Sequence, residues 1–273
     1  MKYMHFNSSC SYTALAMLLE EKGINTEDKD IAMTIGLPWI FVKEDGCFMA
    51  GPNLQGAEWF DIYLNPRGLR MFEEYVDRES IPDYLVKHGN CMLGIRLPEN
   101  KGKHAVVFYK FDGSYHFYNP VREGSEEKTE IILSKEELLR SADRETVVGR
   151  LEACTKTGHD MQTILEKSVS VLRENLKAIE DFCRAVHEPD EYKETMDSVF
   201  RSILLDGISM LEIAGEKDLA AGFKKLQSGY LQFLRGDMSG VLADHFSLDT
   251  LRSLVEEYIK LIEEQNRMTE HGQ

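Results

Sequence analysis

Three residues in this chain have the types and order needed for nucleophilic chemistry: Cys10, His104 and Asn119. Cys10 sits in MHFNSSCSYTALAMLL, where the polar run Asn7-Ser8-Ser9 leads into Ala14, Leu15, Met17, Leu18 and Leu19. That pattern predicts a helix over 10–22, ended by Gly23. The thiol then lies at a helix N-terminus, where free backbone N–H groups and the helix dipole favour the thiolate, the reactive form of cysteine. His104 opens GKHAVVFYKFDGSYHFYNP and Asn119 stands near its end. Asp112-Gly113 is a hairpin signal between strands expected at 104–111 and 115–118, so position 119 should return beside position 104. There the Asn119 carbonyl can accept from the imidazole and fix its tautomer. A thiolate, a base and an orienting group are the parts of covalent catalysis through an acyl-enzyme. The backbone N–H of Cys10 and the side chain of Asn7 are the candidate oxyanion donors, and losing one such donor typically costs about 2.7–4 kcal/mol.

Each residue also has a structural reading. A cysteine at a helix start is commonly a small buried hydrophobe, and a histidine opening a strand is commonly a packing residue. Their joint order and placement favour the catalytic reading. His5 is a rival base, set aside because close sequence neighbours rarely supply the geometry. His116 reads as an ordinary strand residue.

The elements that must hold these residues change character near position 150. Up to there helices and strands mix. A second helix is expected from Thr26 as N-cap to Ile35, and irregular structure with short strands over 37–65, ending in a short helix in GAEWFDIYL. Arg70–Val76 reads as the start of a helix, Ile81–His88 as a short helix and Asn90–Leu97 as a central strand, followed by the loop Pro98–Lys103. The hairpin comes next, then a strand at Thr129–Leu133. Ser134 and Glu137 form a capping box ahead of a helix through Ala142. Within AGPNLQGAEWF, Asn53, Gln55 and Trp59 are candidate substrate contacts, with Trp39 lining the same cleft; a plain surface connection and core packing are the alternatives.

Beyond 150 the pattern is helical. Leu165, Val169, Leu172, Leu176, Ile179, Cys183 and Val186 form one apolar seam, with Pro189 barring extension. Further helices carry Met196 to Leu211, Leu219 to Leu234, and Leu251 to Ile262 beginning at Ser247. The expected class is α+β: a thiol-enzyme domain over 1–150 with an antiparallel sheet, then an antiparallel helical bundle over 155–273. The seam is read first as burying itself within the bundle; closure over the cleft and homodimer formation are the alternatives.

Composition narrows the function classes. The chain has 273 residues, 42% hydrophobic, enough for one large or two small cores. A net charge of −15 opposes binding to nucleic acid and anionic membranes, so neither is expected as a partner. Five scattered cysteines without a CxxC pair argue against a structural zinc site or a disulfide framework, so no metal or other cofactor is expected. The N-terminal stretch has no signal-peptide pattern and no apolar run has membrane-spanning length, which points to a cytoplasmic protein with reduced thiols.

The triad order, the cysteine-bearing helix and the His-strand–hairpin–Asn-Pro ending resemble the papain-like superfamily. Within it, HFNSSCSYTALAMLLEEKGI, IAMTIGLPWIF and GKHAVVFYKF are similar to the N-terminal domain family of butirosin biosynthesis protein H, and double-glycine bacteriocin-processing peptidases share the plan. The resemblance covers about 1–145 and implies a papain-like fold and acyl chemistry, with Cys10 as nucleophile, His104 as base and Asn119 as orienter. It implies either transfer of an acyl group from a carrier-protein thioester to an amine or cleavage of a leader peptide. One departure weakens the peptidase reading: Met4 stands where papain-like peptidases carry an oxyanion-hole glutamine. A non-catalytic scaffold on the same fold is the reading from a different class.

Overall fold

A computed structural model describes residues 2–97, 102–185, 196–234 and 246–271. In chain order the first elements are α1 (Cys10–Glu20), α2 (Asp28–Ile35), β1 (Phe41–Glu44), β2 (Cys47–Ala50), α3 (Ala57–Leu64), β3 (Leu69–Asp77) and α4 (Ile81–His88). There follow β4 (Cys91–Arg96), β5 (Lys103–Phe111), β6 (Tyr115–Tyr118), β7 (Glu130–Leu133), α5 (Lys135–Ser141) and β8 (Glu145–Ala153). The helical part contains α6 (Met161–Arg184), α7 over 196–214, α8 (Lys217–Leu234) and α9 (Leu248–His271). The fold class is mixed α+β with antiparallel sheets. Among the described residues, no helix is long and apolar enough to cross a membrane.

The chain divides into two compact units. One comprises Met1–Ile35 and Gln55–Gly158; the other comprises Gly36–Leu54 and His159–Gln273. The expected split at 1–150 and 155–273 is corrected twice. Position 150 falls inside β8, and residues 36–54 belong with the helices. The reason for the second correction is packing. Tyr258 donates its hydroxyl to the Pro38 carbonyl at 2.6 Å and meets the rings of Phe41 and Trp39 edge-on at 5.2 and 6.2 Å. Phe41 N–H also donates to the Ser168 hydroxyl at 3.1 Å.

In the first unit a six-stranded sheet runs in the order β3-β8-β4-β5-β6-β7. β4 lies inside it and buries Cys91, Met92 and Leu93 in succession, as an apolar strand covered on both faces must. On one face Leu93, Ile95, Val106 and Phe108 meet Ile81 and Leu85 of α4 and Leu138 of α5. α5 carries the capping box expected from its sequence: the Ser134 hydroxyl accepts from Glu137 N–H, and the Glu137 carboxylate accepts from Ser134 N–H. α1 packs on β5 and β4, and α2 and α3 build outward from it. Every residue from Ser11 to Leu19 is buried, the signature of a helix enclosed on all sides.

Two elements differ from their sequence expectation. Arg70–Val76 is strand, within β3, and not the start of a helix. Met71, Phe72, Tyr75 and Val76 have helical spacing, but nine residues pair with β8, and that pairing overrides local preference. β8 has no counterpart in the sequence reading. Gly149 interrupts its pattern, and the space a side chain would need is filled by Met71 Sδ, 2.9 Å from the position of a Cβ there.

In the second unit α6 to α9 close around one core that includes Leu172, Phe200, Phe223 and Tyr258. The seam of α6 is buried from Leu165 to Cys183; Val186 and Pro189 lie outside the described residues. α7 widens to a π-helix over Ser202–Gly207. Asp206, inside that segment, is buried with Arg201 and Asn53 as hydrogen-bond partners, and burial pushes its carboxyl up to about 6.

Candidate active site

Cys10 is the first residue of α1, preceded by a turn in which Ser8 takes a positive φ of 60°. His104 lies near the start of β5, opposite Ile95 of β4. The pairing of β5 with β6 ends at Val107↔Tyr118. Beyond that point Ala105 N–H donates to the Cys10 sulfur, as does Ser11 N–H, and the His104 imidazole is hydrogen-bonded to the thiol. The helix start therefore fills a sheet edge that the hairpin leaves open.

The electrostatics follow from those contacts. Burial alone would raise the Cys10 thiol, but the hydrogen bond and charge of His104 and the two backbone N–H donors bring it below the usual thiol range. For His104 burial works downward, and the thiol and the Pro120 carbonyl outweigh it, so the imidazole is held above its usual range. Both shifts favour a thiolate–imidazolium pair. Burial pushes Cys91 and Cys183 up to about 11 and about 12. Cys154 is tied to the Leu69 carbonyl at 3.0 Å, and Cys47 is exposed.

The group that orients the imidazole is the Pro120 carbonyl, 2.9 Å from Nε2. Accepting there, it fixes the proton on Nε2 and leaves Nδ1 for the thiol. This corrects the role expected of Asn119. Its Nδ2 donates to the Lys128 carbonyl at 2.7 Å, and its buried Oδ1 has no hydrogen-bond partner among the described residues. The cause is register. Even with a bulge between Phe108 and Lys110 that moves the second strand one place towards His104, extending Val107↔Tyr118 puts Asn119 opposite Val106 and Pro120 opposite Ala105, so the chain draws level with His104 only past Asn119.

The remaining candidates disperse. Asn7 is exposed in the turn before Cys10. Gln55 is exposed and Trp59 half-buried on α3. Trp39 and Asn53 belong to the other unit: Trp39 is core against Tyr258, which corrects its expected place in a cleft, and the half-buried Asn53 bonds Asp206. Thr26 is not a helix cap, since α2 begins at Asp28 and the Thr26 hydroxyl accepts from Tyr63 at 3.1 Å. His5, the rival base, has Nδ1 on the Asp28 carboxylate at 2.6 Å and Nε2 3.6 Å from Glu27. His116 lies between Asp112 and Glu130.

A cleft of about 530 Å³ opens beside His104, lined by Met4, Lys103, Pro120, Arg122 and Glu127 among others. Met4 N–H donates to the Val121 carbonyl at 2.9 Å, and a bridge between Met4 and Arg122 ties the N-terminal segment to the cleft wall. Met4 thus places its thioether at the border of the cleft. Among the described residues no three of His, Cys, Asp and Glu gather as a metal-binding group. No family model matches the sequence, and no curated protein matches it.

Proposed function

We propose that this chain is a papain-like, cysteine-dependent acyl-transfer enzyme in which Cys10 carries the acyl group and His104 moves the proton. The observation that carries the reading is the hydrogen-bonded Cys10–His104 pair, with sulfur further held by two backbone N–H groups and His104 lining an open cleft. The Cys10 thiolate attacks the carbonyl carbon of a thioester, and a tetrahedral oxyanion forms near the backbone N–H of Cys10 and the Asn7 side chain, the expected donors. As the carbon–sulfur bond to the leaving group breaks, the leaving thiolate takes the imidazolium proton. An amine or water then attacks the acyl-enzyme and gives its proton to His104, and Cys10 departs as thiolate. The donor we favour is a carrier-protein or small-molecule thioester in the cytoplasm, a compartment suited to five free thiols. Leader-peptide cleavage is the less favoured variant, because Met4 offers no amide for an oxyanion.

The test is acylation. Incubation with an acetyl or octanoyl N-acetylcysteamine thioester should add one acyl group, mapped by mass spectrometry to Cys10. Cys10→Ala should abolish the adduct, and His104→Ala should slow its formation by about 10²–10⁴-fold. Adding a primary amine to the trapped adduct then separates transfer from hydrolysis. A native chain whose Cys10 stays unmodified under these conditions would refute the reading and favour a non-catalytic scaffold.

A further inference from the structure

Asp28 is the first residue of α2 and is fully buried. Its carboxylate accepts from the Ser9 hydroxyl at 2.7 Å, His5 N–H at 2.8 Å, Thr13 Oγ1 at 3.2 Å and its neighbour Lys29 N–H at 2.8 Å, with His5 Nδ1 at 2.6 Å. Apart from Lys29, these partners flank Cys10 on both sides. The most informative is Ser9. It occupies the N-cap position of α1, where a serine ordinarily accepts from a first-turn N–H, yet it makes no capping bond. Its hydroxyl is engaged by Asp28 and by the Phe6 carbonyl at 2.9 Å. The first turn also carries no acidic side chain. The N–H groups that Ser9 would otherwise bond are left for sulfur, and Ser11 N–H takes that role.

We propose that Asp28 is the positioning residue of the Cys10 centre: by drawing the Ser9 hydroxyl away from the helix start and fixing residues 5–13, it reserves the first-turn N–H groups of α1 for the Cys10 sulfur. This rests on Cys10 being the reactive thiol. Asp28 touches neither sulfur nor cleft, so its effect passes through the backbone. With Asp28 removed, Ser9 is free to cap α1 and compete with sulfur for the same donors.

The test is the alkylation rate of Cys10 by iodoacetamide against pH, read by peptide mass spectrometry on the full chain. Asp28→Ala should move the midpoint alkaline by about one unit, slowing the reaction about tenfold near neutral pH. Asp28→Asn keeps an acceptor for Ser9 and His5 N–H and should stay within about twofold of wild type. Adding Ser9→Ala to Asp28→Ala should recover part of the loss, because the competing hydroxyl is gone. Leu85→Ala, a core change beneath the opposite sheet face, should lower the melting temperature without moving the midpoint. A folded Asp28→Ala chain with the wild-type midpoint overturns the proposal. Should that variant not fold, Asp28→Leu, with Ser9 intact, and Asp28→Asn carry the test: Asp28→Asn matching wild type while Asp28→Leu is slowed supports the role, and two unshifted midpoints overturn it. A wild-type midpoint in the ordinary thiol range overturns the thiol reading and this proposal together, whereas a low wild-type midpoint with unshifted variants overturns only the role of Asp28.

Discussion

At the scale of single residues, the centre is a thiol held by three donors and an imidazole held by a carbonyl. The directions of the two shifts set a pH window. Below the lowered range of Cys10 the sulfur is protonated and cannot attack; above the raised range of His104 the imidazolium proton needed by the leaving group is gone. The proposed acyl transfer should therefore be bell-shaped in pH, measured as initial rate with the N-acetylcysteamine thioester. Because Asn119 bonds Lys128 and not the imidazole, Asn119→Ala should leave both limbs in place, while His104→Ala should shift the acid limb towards the ordinary thiol range. An Asn119→Ala profile displaced on either limb would restore the orienting role expected from sequence. Cys10 and His104 were legible because helix-start and strand signals are local. Pro120 was not, because a backbone carbonyl carries no side-chain signature and the bulge that brings it to His104 has no mark in the sequence. Asp28 was hidden similarly: an acidic residue in the first turn of a helix reads as a dipole partner, and its burial comes from α1 packing over it.

At the scale of elements, the hairpin, the capping box of α5 and the inner strand β4 follow from patterns a few residues long. β3 and β8 do not, since each is made a strand by the other. In the helical unit the π segment of α7 has one identifiable cause in sequence. A Cβ at Gly207 would lie 2.9 Å from the Ser202 carbonyl oxygen, a close approach only glycine permits without backbone movement. Gly207→Ala is expected to destabilise that unit by about 1–3 kcal/mol, seen as a lower chemical-denaturation midpoint, although alanine favours helix by intrinsic propensity. A neutral or stabilising result would show that α7 can relax to regular helix at no cost.

At the scale of the molecule, the chain is two compact units, and the second is assembled from two stretches of sequence. The composition shift near 150 revealed the helical unit but not its inserted piece, because Trp39 and Phe41 are apolar in either setting and only their packing against Tyr258 assigns them. The five cysteines, spread over both units, give an internal comparison. Burial holds Cys91 and Cys183 well above the usual thiol range, Cys154 is bonded to a carbonyl, Cys47 is exposed, and Cys10 is partly buried. Exposure alone would make Cys47 the fastest thiol. The most direct measurement is the set of five iodoacetamide rate constants on the native chain near neutral pH, with and without His104→Ala. An activated Cys10 reacts faster than Cys47, and His104→Ala removes that lead. If Cys47 is faster in the native chain, or His104→Ala leaves Cys10 unchanged, Cys10 is not an activated nucleophile.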